Sequence, residues 1–181
     1  MKISRDRLAD NKRRILDAAA GLMRERGCDG VSVSDITKAA GLTHGAFYNH
    51  FESKDDLVAK VFAHVLSPED NPVAKLDLDT FARRYLSLEH RDDQAEGCIF
   101  SALGSEAGRA SPAPRAVITK AVKAQIERFS VTAPGDTVEE RRRAAITRWA
   151  AMIGAMVLAR AVDDEALSEE LLSETLATFD A

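Results

Sequence analysis

Apolar residues in this chain recur with a helical period almost throughout, and period-2 alternation is nearly absent. A half-buried strand needs the second pattern and a packed helix the first, so the sequence predicts an all-α fold. Ile15, Ala18, Ala19, Leu22 and Met23 stand at i, i+3, i+4, i+7 and i+8, a stripe wide enough to face a core. Gly27 stands where a left-handed residue would end that helix. Ser32-x-x-Asp35 is a capping-box pattern that opens a short helix running to about Ala40, where Gly41 breaks it. Thr43 is a candidate N-cap for another short helix, and Ser53-x-x-Asp56 is a second capping box. Leu57, Val58, Val61, Phe62 and Val65 give the following helix one apolar face.

Further along, Leu78, Phe81, Tyr85 and Leu88 share a face, as do Ile118, Val122, Ile126 and Phe129. Thr137-x-x-Glu140 caps a long helix carrying Ile146, Trp149, Ile153 and Val157. After Asp163-Asp164, a last helix carries Leu167, Leu171, Leu172, Leu176 and Phe179. With one more helix opening near Gly97-Cys98, the expectation is about nine. Pro68, Asn71 and Pro72 mark a break, which divides the chain into residues 1–66 and 67–181.

Composition narrows the class. The chain has 181 residues, 45% hydrophobic and 30% charged, enough for a real core and unlike a disordered or collagen-like sequence. No apolar run approaches the ~20 residues of a membrane span, so none is expected. The first ten residues lack the apolar segment of a secretory leader. Two cysteines, Cys28 and Cys98, are too few for a disulfide framework, and a reducing cytoplasm is the expected location. The net charge of −4 excludes a uniformly basic nucleic-acid binder. It is unevenly spread, however. Residues 1–50 hold nine Lys/Arg against six Asp/Glu, and the remainder is acidic. A basic end on an acidic body is compatible with DNA contact through that end.

The segment from Ser32 to Phe51 carries the most specific signal. Two short helices joined by Ala39-Ala40-Gly41-Leu42-Thr43 have the spacing of a helix-turn-helix. Ala39 and Ala40 allow close approach, Gly41 can take the left-handed conformation of a sharp turn, and Leu42 fills the wedge. At 100° per residue, Ala46, Phe47 and His50 face inward while His44, Gly45, Tyr48 and Asn49 face out. An outward His, Tyr and Asn on so short a helix suits a major groove better than a core. Lys54 opens the next helix, where an ammonium and backbone N–H groups can hold a phosphate together.

These residues resemble the N-terminal domain of the TetR family of bacterial transcriptional regulators. The resemblance runs over residues 11–57. It is carried by Ile15-Leu16-x-Ala18-Ala19, Gly27, Val31-Ser32-Val33-x-x-Ile36 and Ala39-x-Gly41-Leu42-Thr43-x-Gly45-x-Phe47-Tyr48-x-His50-Phe51-x-x-Lys54-x-x-Leu57. It implies phosphate contacts from Ser32, Thr43, Tyr48, His50 and Lys54, and base proximity for Thr43, His44, Gly45 and Asn49. Capping for Ser32 and Thr43, and burial for His50, are the alternative roles. The resemblance also implies a helical C-terminal domain that dimerises through its last two helices, a palindromic double-stranded DNA operator, and a small-molecule effector that releases it.

In the long helix, Trp149 and Ile153 are assigned to one side and the small or flexible residues Ala144, Ala151, Met152, Ala155 and Ala159 to the other, where the alanines face a dimer partner together with Leu167, Leu171 and Phe179. Phe81, Tyr85, Leu88, Cys98, Phe100, Leu103, Trp149, Met152 and Met156 are candidate lining residues for an apolar or aromatic effector, with core packing as the alternative for each. Cys98 opens its helix in a Gly-Cys pair and permits a thiol-based oxidant or electrophile sensor. A helical protein-interaction module that no longer reads DNA is a further alternative. No phosphate-binding loop, dinucleotide fingerprint, zinc-protease motif or C-x-x-C is present. An enzyme, a cofactor and a metal site are therefore not expected.

Overall fold

The computed structural model describes residues 5–67 and 75–179. Ten helices and no strand occur among them: α1 (Arg5–Arg26), α2 (Val33–Ala39), α3 (His44–Phe47), α4 (Lys54–Val65), α5 (Leu78–Tyr85), α6 (Leu88–Asp92), α7 (Ile99–Ala107), α8 (Pro112–Ser130), α9 (Val138–Ala161) and α10 (Glu165–Ala177). The extra helix arises where one had been expected across Leu78–Leu88. Ser87 accepts the His90 N–H at 3.2 Å and starts α6 afresh. That turn carries Leu88 off the shared face, and it is 42% exposed. Pro68, Asn71 and Pro72 lie outside the described residues.

Helix α1 buries Ile15, Leu16, Ala19, Ala20 and Met23, with Ala18 and Leu22 at the stripe's edge. The buried stripe is rotated from the expected one because α1 packs against α2, α4 and α7 together. Gly27 ends it at φ 76°, and its N–H returns to the Met23 carbonyl at 2.8 Å. Here α7 intervenes: the Glu106 carboxylate accepts the Cys28 N–H at 2.8 Å. Glu106 is thus tied to the end of α1, and Arg109 is exposed.

Two apolar clusters make the core. The first joins α1 to α4 and takes in Ile99 and Leu103 from α7. The second joins α5, α8, α9 and α10 around Phe129, Trp149, Met152 and Met156. Phe100 packs against both. The division of packing therefore does not follow the division of the chain at residue 66.

Helix α9 buries one face, with a phase different from the expected one. Ala145, Trp149, Met152, Ala155, Met156 and Ala159 are all buried on one side, as a 3.6-residue period requires of this spacing. Ala155, Ala159 and Phe179 thus belong to the core of the single chain, and Ala144 and Leu171 are partly buried in it. Ala151 and Leu167 do face outward. Beside them lie Gly154 and the 53%-exposed Leu158.

Helix α9 is also the one described helix long and apolar enough, by length and composition, to cross a membrane, which the sequence reading had not anticipated. It packs against α8, α10 and α7. Its Arg160 donates to the carbonyls of His90 at 2.5 Å and Arg91 at 3.0 Å. Arg91 in turn reaches Ser168 at 3.0 Å and Glu165 at 2.8 Å on α10. These contacts tie one face of α9 to the helices around it.

Candidate nucleic-acid interface

The α2–α3 unit is assembled by satisfied local bonds. Ser32 accepts the Asp35 N–H at 3.1 Å, while the Asp35 carboxylate accepts the Ser32 N–H at 3.0 Å and its hydroxyl at 2.6 Å. This completes the expected capping box, and it engages the Ser32 hydroxyl proton within the chain. Gly41 takes φ 64° in the turn. The Arg14 guanidinium of α1 donates to the Ala40 carbonyl at 2.6 Å, so an orphan carbonyl at the end of α2 is held by a charged donor. Of the two alanines, Ala40 is buried and Ala39 is exposed; only Ala40 serves helix approach.

Thr43 occupies the N-cap position of α3, but its side chain makes no capping bond. Its hydroxyl is thus not committed as a cap. Phe47 is 1% exposed and anchors α3 in the first cluster, with Phe51 and Tyr48 rings each 5.2 Å away. On the opposite face Thr43, His44, Gly45, Tyr48 and Asn49 are exposed, and Tyr48 is 64% exposed. The His44 ring meets Tyr48 edge-on at 5.6 Å. A side chain at Gly45 would meet nothing of the chain within 4 Å, and its φ is not in the left-handed region. Neither packing nor backbone geometry requires glycine there.

Ser53 caps α4 by accepting the Asp56 N–H at 3.1 Å. The reciprocal half of that box is absent, because the Asp56 carboxylate binds the Glu52 N–H at 3.1 Å and the Lys60 ammonium at 2.6 Å. Lys54 is half-buried at the first position of α4. His50 is also half-buried, and its Nε2 is a buried atom without a hydrogen-bond partner. Burial, with the Lys12 and Lys60 charges, holds the ring below its ordinary value of 6.5. A neutral imidazole makes His50 a weaker phosphate clamp than the sequence suggested.

A second histidine is held down in the same way. The His90 Nδ1 faces the Tyr85 carbonyl at 2.7 Å, and Nε2 accepts the Cys98 N–H at 3.1 Å. This pairing requires the neutral tautomer protonated on Nδ1, and burial lowers the ring's affinity for a proton. The unfolded chain, titrating at the ordinary value, takes up both protons first. Stability is therefore expected to fall as pH drops below about 6.5 and to level off once pH passes the lower folded values. Hydrogen-bonded carboxylates such as Asp35, held below their ordinary value, add a separate loss at lower pH. Urea midpoints measured between about pH 8 and 5 check this; a flat profile across that window would contradict it.

A cleft of about 830 Å³ opens between the two halves of the molecule. Phe81, Tyr85, Cys98, Phe100 and Trp149 line it, as expected of them as residues, and Arg24 of α1 and Arg128 of α8 join them. The two arginines escaped sequence reading because nothing in their local pattern separates a lining cation from a solvated one. Four expected lining residues lie elsewhere. Leu103 fills the first cluster, Met152 and Met156 are fully buried in the second, and Leu88 is exposed away from the cleft. Cys28 is a half-buried neighbour of Glu106, and desolvation pushes its thiol up to about 12.

The fold and this exposed face define a helix-turn-helix protein with a larger helical domain behind it. Residues 15–61 match the family described as bacterial regulatory proteins, tetR family. It is 34% identical over 74 residues to the HTH-type transcriptional regulator AcrR of Shigella flexneri, covering 41% of this chain and 33% of that protein. It is 29% identical over 97 residues to the HTH-type transcriptional repressor KstR2 of Mycolicibacterium smegmatis, covering 48% and 47%. The chain thus spans about a third to a half of the length of these curated relatives. Over nearly its whole length it shares the fold of a TetR-family transcriptional regulator from Agrobacterium tumefaciens. That match has a TM-score of 0.75 at 21% identity, covering 94% of this chain and 98% of that one.

Proposed function

We propose that this protein is a transcriptional repressor that binds a palindromic operator as a dimer and is released by a small molecule. The observation that carries the reading is the α3 face. Its polar residues stand exposed around a glycine that the chain itself does not need, on a helix fixed from behind by Phe47. Thr43, His44, Gly45 and Asn49 are assigned to bases, and Tyr48 and Lys54 to phosphates. Ser32 and His50 take a lesser part, given their internal commitments. The exposed small and apolar residues of α9 and α10, Ala151, Gly154, Leu158 and Leu167, support a two-fold partner. Such a dimer sets two recognition helices about one DNA turn, roughly 34–36 Å, apart. The relatives' names as regulators and repressors agree with this reading.

Fluorescence anisotropy on DNA flanking its own coding sequence, at several salt concentrations, tests it. Tight binding of two subunits per palindrome that weakens with salt is the expected result. Lys54→Ala should flatten the salt slope by about 0.9 per lost phosphate contact, or about 1.8 per dimer, without changing site preference. Weak, sequence-blind binding to that DNA and to a random-sequence library would favour a protein-interaction role instead.

A second reading concerns Cys98, which lines the cleft as Cys28 does not. Thiol control would act there. Retained release by effector in Cys98→Ser would exclude it.

A further inference from the structure

The inner part of the cleft has a chemical bias beyond its apolar walls. Tyr85 is 5% exposed, and its hydroxyl is buried without a hydrogen-bond partner. It lies beside the Cys98 thiol and the Ser101 hydroxyl without reaching bonding geometry to either. Burial raises its pKa far above the ordinary phenol, so the group remains a donor. Arg24 shows the same signature. Its Nη1 donates to the Ala95 carbonyl at 2.7 Å, but its Nε is buried and unsatisfied. Both residues line this one cleft. Buried donors are nearly always matched by an acceptor.

Around these donors the wall is aromatic. Phe81 stacks on Tyr85 with centroids 5.5 Å apart, and Phe100 meets Trp149 edge-to-face at 5.2 Å. The Arg128 guanidinium lies 4.2 Å over the Phe129 ring and 5.4 Å from Phe81, bringing a second cation to the wall. Four acids also border the cleft, but Glu89, Asp93 and Glu96 are exposed at its rim, and Asp17 is paired with His64 at 2.6 Å. Glu96 and Asp93 act on Arg24 through space, but burial is the larger influence on its guanidinium, and no acceptor reaches its Nε.

We infer that the effector cleft takes an aromatic carboxylate, its ring against Phe81 and Trp149 and its carboxylate on Arg24 and the Tyr85 hydroxyl. This rests on the proposed role of the cleft as an effector site and adds the ligand's charge to it. An anion held by Arg24 would bond directly to α1, the helix that supports the α2–α3 unit, so occupancy and the pose of the recognition helix share one residue.

The test uses three probes of one shape: biphenyl-4-acetate, biphenyl-4-acetamide and a biphenylmethyl trimethylammonium salt. Binding to the full chain is followed by calorimetry and by the fluorescence of Trp149, the chain's single tryptophan. The acetate should bind about tenfold or more tightly than the amide, as a charge-assisted bond to a half-buried guanidinium predicts, and the ammonium most weakly. Arg24→Gln should erase the preference. Tyr85→Phe, which keeps the ring, should reduce it several-fold. An amide or ammonium that binds as well as the acetate would overturn the inference while leaving the cleft an effector site. A folded protein that binds none of the three would overturn both.

Discussion

Replacing Gly45 with leucine is expected to lower operator affinity by about 30-fold to 10⁴-fold while leaving folding stability nearly unchanged. The two halves of the expectation come from different physics. Within the chain a side chain at residue 45 enters open space, and leucine is a better helix former than glycine by up to about 1 kcal/mol. In the proposed complex with DNA the same side chain would fill the gap through which α3 approaches a base edge. A lost base contact costs about 1–3 kcal/mol, and a two-fold dimer loses it twice. Anisotropy titrations beside thermal melts separate the two. Unchanged affinity would mean that another face reads the DNA; a collapsed melting midpoint would mean that the glycine has a structural role.

Phe47→Ala should do the reverse, removing stability first and DNA binding as a consequence. The ring is 1% exposed and touches Phe51 and Tyr48, and it is the one buried side chain of a four-residue helix. Such a helix has no intrinsic stability. Truncating a buried phenylalanine costs about 3–5 kcal/mol, a large share of the 5–15 kcal/mol typical of a whole domain. The urea midpoint should fall sharply, and DNA affinity should recover partly on cooling or with stabilising osmolyte. A variant that kept its midpoint would show that Phe47 does not anchor α3.

What was legible in the sequence is what local chemistry determines. Caps, C-terminal glycines and the turn depend on residues within a few positions of one another, so Ser32, Gly27, Gly41 and Thr137 are placed as read. The in–out sorting of α3 is similarly local and holds for Phe47, Tyr48 and Asn49. The C-terminal half was harder because alanine and methionine do not declare a face. Ala155 and Met152 share the buried side of α9 with Trp149, whereas a contrast of small against large residues had set them apart. Leu103 and Leu88 failed as lining residues for a longer-range reason. Which cluster a helix enters depends on helices far away in the chain. The cations of the cleft were invisible for the same reason, since Arg24 and Arg128 come from helices about a hundred residues apart.

The placement of α7 bears on how such proteins can be recombined. Ile99 and Leu103 complete the core beneath the recognition unit, and Glu106 secures the end of α1. A reading head cut at residue 66 leaves two apolar sockets and one backbone donor without their occupants. The unit that packs as one body is therefore discontinuous: residues 5–66 together with one face of α7 and the start of α8, whose Val117 and Ile118 also pack against this cluster. A chimera built from it must graft those side chains as well, or choose a recipient that already presents them.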